Sequence, residues 1–288
     1  MPLSLIKGTY RVVHSEPDGD SVHFQPHDPQ AFTTLHLAAH ANHDGGVQLR
    51  LDAIDALETH YTPRARGAFL QHQPLGLAHA AADELLRLLR FKTWTRGQHE
   101  TITASTPDTV EGYILTRFVD KYGRPVALVY SGKTRHRDLA PVTVDTTLLA
   151  KSVNYQLTTA GLVYPTFYSQ LYPDLRAALT EAATTARTAK AGVWAADTTT
   201  SGTTITTLAD LTDTAVILPK LFRRLIDYLA LGAGSVNLDG FAAFLAARND
   251  RVLVISDGHL TGLDNLITVT GHTVTLTQPP ENLSFIEG

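Results

Sequence analysis

The stretch LRLDAIDALETHY, residues 49–61, places charged residues inside what is otherwise an apolar strand. Its leucine and isoleucine residues predict a strand that packs in a core, and four charged residues are interleaved with them: Arg50, Asp52, Asp55 and Glu58. Strict strand alternation would place Arg50 and Asp55 on opposite faces. A shared pocket therefore requires a twist, a bulge or a chain turn near residues 53–55, and bulges are frequent at barrel rims.

The flanking sequence predicts a strand-rich module with helices. A tight turn at 16–19 and alternating apolar residues predict strands, and apolar residues at helical spacing predict helices. The strands are expected at 8–15, 20–26, 47–54, 110–120 and 124–130, and the helices at 75–90, 145–160 and 171–191. This α+β order is compatible with a five-stranded closed β-barrel with helices, the OB type.

The composition of the sequence changes after residue 197. Residues 198–208 are Thr-rich and without period, which predicts a linker between a domain at 1–197 and a smaller α+β domain at 209–288. The smaller domain is expected to hold helices at 218–232 and 237–250 and strands at 251–256, 265–270 and 272–277. The smaller domain carries no recognised motif, so three roles stay open: docking on the first domain, self-association and binding of a protein partner.

Bulk composition limits the classes of function. The chain of 288 residues contains no cysteine, which excludes disulfides and thiolate metal sites. The formal net charge is −4, so binding of a polyanion would depend on a local basic patch. The sequence shows neither a secretory signal nor a run of about 18 apolar residues, so we expect a cytoplasmic protein without membrane contact.

Three acidic residues are candidates for metal chemistry. Asp20 follows a turn, Asp55 ends a strand and Glu58 lies one short turn later. Carboxylates that converge repel each other unless a cation lies between them, and Ca²⁺ prefers carboxylate and carbonyl oxygens. Asp20, Asp55 and the carbonyl of Ala56 are therefore candidate ligands, with Glu58 left for another task. Alternatively, each aspartate only bonds its local backbone.

Two arginines are candidates for phosphate binding. Arg50 lies within a predicted strand, and Arg124 follows the turn at 121–123. A guanidinium can pair with two phosphate oxygens at once, and two of them would neutralise charge in a five-coordinate phosphorus transition state. Glu58 could then hold the attacking water or accept its proton. The alternatives are a snorkelling strand residue at Arg50 and a solvated turn residue at Arg124.

Three segments in order resemble the staphylococcal nuclease-like (thermonuclease) family: PDGDSVHF (17–24), LRLDAIDALET (49–59) and DKYGRPVALVY (120–130). The resemblance extends over about residues 8–197, including 148–165 and 189–197. It implies an OB-fold barrel that hydrolyses DNA and RNA phosphodiesters with Ca²⁺, and it leaves the C-terminal extension unassigned. By this resemblance Asp20 and Asp55 bind metal, Arg50 and Arg124 bind phosphate, and Glu58 is the catalytic glutamate.

The sequence departs from the family pattern after the second aspartate. Family members often have Thr-Pro there, where this chain has Ala56-Leu57. A backbone carbonyl ligand would tolerate the change, whereas loss of the proline could loosen the turn that aims Glu58. The family also places tyrosines near the phosphate. Tyr122, Tyr164 and Tyr168 are the candidates, but their spacing supports no catalytic assignment, and Lys121 and Tyr122 are predicted to contact substrate.

Two further groups of residues carry weaker signals. The irregular segment 26–46 contains His27, His36, His40 and His43, whose spacing could suit zinc, although surface histidines are the favoured interpretation. Its length is compatible with a role in substrate choice. The basic stretches RHR (135–137) and KLFRR (220–224) could contact phosphate, but solvated faces are the favoured interpretation.

The predicted function is a Ca²⁺-dependent nuclease, with other divalent ions as alternatives. Arg50, Glu58 and Arg124 would be catalytic, and the family pattern implies departure of the 5′-oxygen to leave 3′-phosphate ends. Single-stranded DNA and RNA would fit best, because a narrow site beside a barrel admits one strand more easily. One competing hypothesis is a catalytically inactive OB-type module that binds nucleic acid or protein. Another is a scaffold that acts through residues 209–288.

Overall fold

The computed structural model describes residues 2–65, 68–232 and 236–286. Up to residue 197 the strands are β1 (Leu3–Arg11), β2 (Ser21–Pro26), β3 (Val47–Leu51), β4 (Ile54–Asp55), β5 (Thr93–Arg96), β6 (Ile102–Thr106), β7 (Thr109–Val119), β8 (Pro125–Ser131), β9 (Pro141–Val142), β10 (Tyr164–Pro165) and β11 (Phe167–Tyr168). The helices in this part are α1 (Ala31–Thr34), α2 (Leu75–Leu88), α3 (Thr146–Leu149), α4 (Val153–Thr159) and α5 (Pro173–Thr188).

Five of these strands close into a barrel. Strand β1 pairs with both β2 and β7, which closes the order β1-β2-β3-β8-β7 on itself. All pairings in the ring are antiparallel except the one between β3 and β8. Closure leaves the ring without free edges and turns alternate side chains inward. The predicted OB-type barrel with helices is thereby confirmed.

Helices cover the barrel with their apolar faces. Ala81, Leu85 and Leu86 of α2 and Leu157 of α4 belong to one buried cluster with barrel residues. The helix predicted at 145–160 is interrupted: α3 ends at Leu149, and Ser152 then caps the N-terminus of α4. Its hydroxyl accepts a hydrogen bond from the backbone N–H of Tyr155. The hairpin of β5 and β6 was not predicted, since its strands are short and exposed.

Beyond residue 197 the chain forms further α+β structure. Its strands are β12 (Thr203–Thr204), β13 (Arg251–Val254), β14 (His259–Gly262), β15 (Ile267–Thr270), β16 (Thr273–Leu276) and β17 (Leu283–Phe285), and its helices are α6 (Pro219–Leu229) and α7 (Phe241–Arg248). Strand β12 lies in the Thr-rich segment and pairs with β16. The predicted division at 197 and 209 stays a prediction.

The C-terminal elements pack directly against the part of the chain that contains the barrel. One hydrophobic cluster joins Leu57, Tyr164 and Trp194 to residues of α6 such as Phe222. Strand β17 pairs in parallel with β11, and the buried Gln73 side chain donates to the carbonyl of Ile217 at 2.9 Å. This packing fixes α6 beside the 49–61 stretch. Within the described residues, no helix combines the length and apolarity that crossing a membrane requires.

Candidate active site

The site begins with a sharp chain turn between β3 and β4. Ala53 adopts a left-handed backbone conformation with φ of 68°, which breaks strand alternation after Leu51. The turn therefore brings Ile54 and Asp55 close to the side chain of Arg50. Arg50 Nη2 donates to the carbonyl of Ile54 at 3.0 Å and to Asp55 Oδ1 at 3.1 Å. The chain turn that a shared pocket required is present, and it brings Arg50 and Asp55 together.

Asp20 joins this pair from the start of β2. Arg50 Nη1 lies 2.5 Å from Asp20 Oδ2, which also accepts a hydrogen bond from the backbone N–H of Ala56 at 2.9 Å. The backbone N–H of Leu51 donates to the carbonyl of Asp20 at 2.8 Å. One guanidinium thus links both aspartates that were predicted to bind metal, and the Ala56 backbone lies beside them.

Glu58 is held in position by a buried glutamine. The backbone N–H of Glu58 donates to Gln73 Oε1 at 3.2 Å, and the backbone N–H of Gln73 donates to the carbonyl of Glu58 at 2.9 Å. Because Gln73 is fully buried and also bonds Ile217, the segment that carries Glu58 is fixed to the C-terminal elements.

Arg223 of α6 completes the cluster, and the sequence did not predict it. Its Nη2 lies 2.8 Å from Asp55 Oδ2 and its Nη1 lies 3.2 Å from Asp55 Oδ1, while Nη1 also pairs with Glu58 Oε1. The solvated face favoured for 220–224 is wrong for the cations of this stretch, because Lys220, Arg223 and Arg224 expose only 11, 22 and 15% of their side chains. The position of these cations on an amphipathic helix was the one feature of the sequence that could have indicated their burial.

Burial and charge pairing set the protonation of the carboxylates. Burial would raise the pKa of Asp55, but the guanidiniums of Arg223 and Arg50 outweigh it and lower the pKa to about 2. Burial dominates at Glu58 and raises its pKa, although Arg223 counters the rise. Burial also raises the pKa of Asp20 well above its usual range, although Arg50 counters the rise. Asp20 and Glu58 therefore accept a proton more readily than Asp55 does.

Arg124, Lys121 and Tyr122 lie across a cavity from the carboxylate cluster. This catalytic cavity has a volume of about 500 Å³, and its lining includes Asp20, Arg50 and Glu58 as well as these three residues. Arg124 is oriented by Asp120, whose Oδ2 accepts from Nε and lies equally close to Nη2, at 2.7 Å. Lys121 and Tyr122, predicted to contact substrate, therefore line the same cavity as the three predicted catalytic residues Arg50, Glu58 and Arg124.

The remaining candidates separate into residues at the cavity and residues away from it. Tyr168 lines the catalytic cavity, whereas Tyr164 is fully buried and donates to Asp197 at 2.8 Å. The backbone N–H of His40 donates to the carbonyl of Gly123, so the histidine-rich segment packs beside the Arg124 turn. In the described parts of the chain, no group of three or more His, Asp or Glu residues is arranged as a metal cluster.

The donor set at Asp20 and Asp55 nevertheless suits a hard divalent ion. Both carboxylates contact the guanidinium of Arg50, and Asp20 also lies beside the backbone of Ala56. Hard cations prefer such oxygen ligands. Asp20, Asp55 and the Ala56 carbonyl are thus the groups that would hold the ion. An ion that binds Asp55 competes with Arg223 for the same oxygens.

The comparison with known families agrees with the OB-type fold. A family model described as staphylococcal nuclease homologue matches residues 48–196, and the chain belongs to that family. Arg50, Asp55, Glu58 and Arg124 lie within the matched range, whereas Asp20 and Arg223 lie outside it. No curated protein matches the sequence at a significant level.

Proposed function

We propose that this chain is a Ca²⁺-dependent nuclease that hydrolyses phosphodiester bonds of DNA and RNA. The observation that carries the proposal is the convergence of Asp20, Arg50, Asp55 and Glu58 in one buried cluster beside a cavity lined by Arg124. Membership of the staphylococcal nuclease homologue family supports a nuclease or nucleic-acid-binding role.

Each side chain of the site has a separate role in the proposed hydrolysis. Arg50 and Arg124 bind the non-bridging oxygens of the scissile phosphate and stabilise the charge that develops there. Glu58 holds a water molecule in line with the leaving oxygen and takes its proton as the new O–P bond forms. The bond from phosphorus to the 5′-oxygen breaks, and that oxygen takes a proton from solvent. When bound by Asp20 and Asp55, Ca²⁺ would supply further positive charge beside the phosphate.

The proposed substrate is single-stranded nucleic acid. The chain as a whole has a net charge of −4, yet the catalytic cavity is lined by cations such as Lys121, Arg124 and Lys220. A local cationic cavity attracts a polyanion without a globally basic protein. The exposed ring of Tyr122 offers a surface on which a base can stack.

A second candidate function is that of a catalytically inactive binding module. The observation in its favour is the contact of Arg223 with Asp55 and Glu58, because this guanidinium already neutralises the acids that hydrolysis needs. Binding without cleavage would distinguish this candidate from the nuclease.

Cleavage of labelled oligonucleotides tests the proposal. Single-stranded DNA and RNA are incubated with the full chain and Ca²⁺, Mg²⁺ or a chelator, and the products are separated by length. The nuclease proposal expects cleavage with Ca²⁺ that the chelator abolishes. Binding of the same strands without any cleavage in the three conditions would favour the inactive module.

A further inference from the structure

The C-terminal elements direct their positive charge toward the candidate active site. Residues 198–288 contain nine acidic and only five cationic residues, so this part of the chain is acidic as a whole. All five cations nevertheless line the catalytic cavity or a cavity adjacent to it: Lys220, Arg223, Arg224, Arg248 and Arg251. Charges that serve only solubility are spread over all faces of a domain. Placement on one face indicates an anionic ligand.

The adjacent cavity, called here the inter-module cleft, has a volume of about 550 Å³. Its barrel wall carries Arg50, Lys121 and Arg124, and its other wall carries all the C-terminal cations except Arg223. Among the described residues, its acidic lining consists of Asp52, Asp120 and Asp250. Several residues, including Arg50 and Lys220, line both the cleft and the catalytic cavity, so the two are continuous.

Three of the four cations of the C-terminal wall are held by contacts with neighbouring side chains. Arg224 makes two bonds to Asp250, at 2.5 and 2.9 Å, and Arg248 donates to the buried Asp227 at 3.2 Å. The ammonium of Lys220 lies 4.3 Å from the centre of the Phe285 ring. Such preorganised groups lose little conformational entropy when they bind an anion.

Lys220 is a buried cation of this wall. Burial lowers its pKa to about 8, and the neighbouring Arg224 and Arg223 add to this effect although Asp250 opposes it. A phosphate in the cleft would place a further negative charge beside this ammonium and stabilise its charged form.

We propose that the C-terminal elements form the second wall of a nucleic-acid-binding cleft, in which Lys220, Arg224, Arg248 and Arg251 hold backbone phosphates of a single strand on one side of the scissile phosphate. The proposal extends the proposed nuclease function, on which it rests for the identity of the strand. It gives residues 209–288 a role in substrate binding. The continuity of the cleft with the catalytic cavity favours a nucleic acid strand over an acidic protein, because one strand can occupy both.

The test measures binding without cleavage. A fluorescein-labelled single-stranded decanucleotide is titrated with the full chain in a chelator, and anisotropy gives the affinity at several salt concentrations. Arg251 is exposed and begins β13, so Arg251→Gln should fold normally. Loss of one phosphate contact lowers the slope of log K against log salt by about 0.7, which corresponds to about fourfold weaker binding at ~0.15 M salt.

Two further variants make the result specific. Lys133→Gln removes an equally exposed cation that lines neither the cleft nor the catalytic cavity, and it should leave both slope and affinity unchanged. Arg251→Lys keeps the charge and should retain most of the slope. The proposal is overturned if Arg251→Gln and Lys133→Gln bind alike.

The binding readout separates this inference from the proposed nuclease function. A reduced slope for Arg251→Gln supports the cleft even if the chain never cleaves the strand. Cleavage with Ca²⁺ together with an unchanged slope would retain the nuclease and reject the cleft. Failure of the parent chain to bind any single strand would reject the cleft outright.

Discussion

Replacing Arg223 by glutamine should destabilise the protein in a chelator, and Ca²⁺ should restore part of the loss. Arg223 pairs with Asp55, which is fully buried, and with Glu58, which is 9% exposed. Removing one partner of a buried ion pair costs about 3–5 kcal/mol, because the other charge stays buried without compensation. Arg50 still contacts Asp55 in the variant, so we expect a loss near the lower end, about 3 kcal/mol.

Urea denaturation in a chelator measures this loss. With an m-value of about 3 kcal/mol/M, the midpoint should fall by about 1 M. Ca²⁺ at a hundred times its dissociation constant should stabilise the variant by about 2.7 kcal/mol. Ca²⁺ should also bind the variant more tightly than the parent chain, because Arg223 no longer competes for the oxygens of Asp55.

Arg87→Gln is the control for the Arg223 experiment. Arg87 also pairs with a glutamate through two nitrogens, but its side chain is 65% exposed. Exposed pairs contribute about 0–1 kcal/mol. If the Arg223 variant loses no more stability than the Arg87 variant, the carboxylate cluster is not desolvated and the described balance of charge is wrong.

Three further predictions concern catalysis, the C-terminal elements and pH. Glu58→Gln should lower the single-turnover cleavage rate by about two to four orders of magnitude while oligonucleotide binding persists, and an unchanged rate with Ca²⁺ would remove Glu58 as the base. Truncation after residue 204 should lower the thermal midpoint of unfolding strongly, because Leu57 and Trp194 lose the apolar residues packed on them. Scanning calorimetry measures this midpoint, and an unchanged value would show two independent domains. The pKa of Lys220 is about 8 in the folded chain against the ordinary lysine value of 10.5 in the unfolded chain, so the unfolded chain binds more protons between these two pH values. The ionisation of Lys220 should therefore raise the free energy of unfolding as the pH rises from about 8 to 10.5. Urea midpoints measured across this range should show the rise in the parent chain and not in Lys220→Met. An equal rise in both proteins would contradict the prediction.

The sequence predicted the barrel strands because their signals are local: alternating apolar residues mark them. Closure into an OB-type barrel was implied by the family resemblance. A shared pocket for Arg50 and Asp55 required a twist, a bulge or a chain turn near residues 53–55, and the structure has a chain turn with Ala53 in a left-handed conformation. The short hairpin of β5 and β6 escaped prediction, since exposed strands of four and five residues carry little hydrophobic pattern.

The role of Arg223 could not be read from local sequence. It meets Glu58 across 165 positions of the chain, and that contact depends on how α6 packs against Leu57 and Tyr164. A single helix can turn a charged face to solvent or to another domain, and amphipathicity alone does not distinguish the two. The inter-module cleft was not predicted for the same reason, because four of its seven cations come from C-terminal elements with no recognised motif.

The central claim is that Asp20, Arg50, Asp55 and Glu58 act together on one phosphodiester in the presence of Ca²⁺. The most direct test is single-turnover cleavage of a labelled single-stranded oligonucleotide by the full chain and by Glu58→Gln, each with Ca²⁺ and with a chelator. The account predicts rapid cleavage only for the parent chain with Ca²⁺. Equal cleavage by both proteins, or cleavage that persists in the chelator, would contradict it.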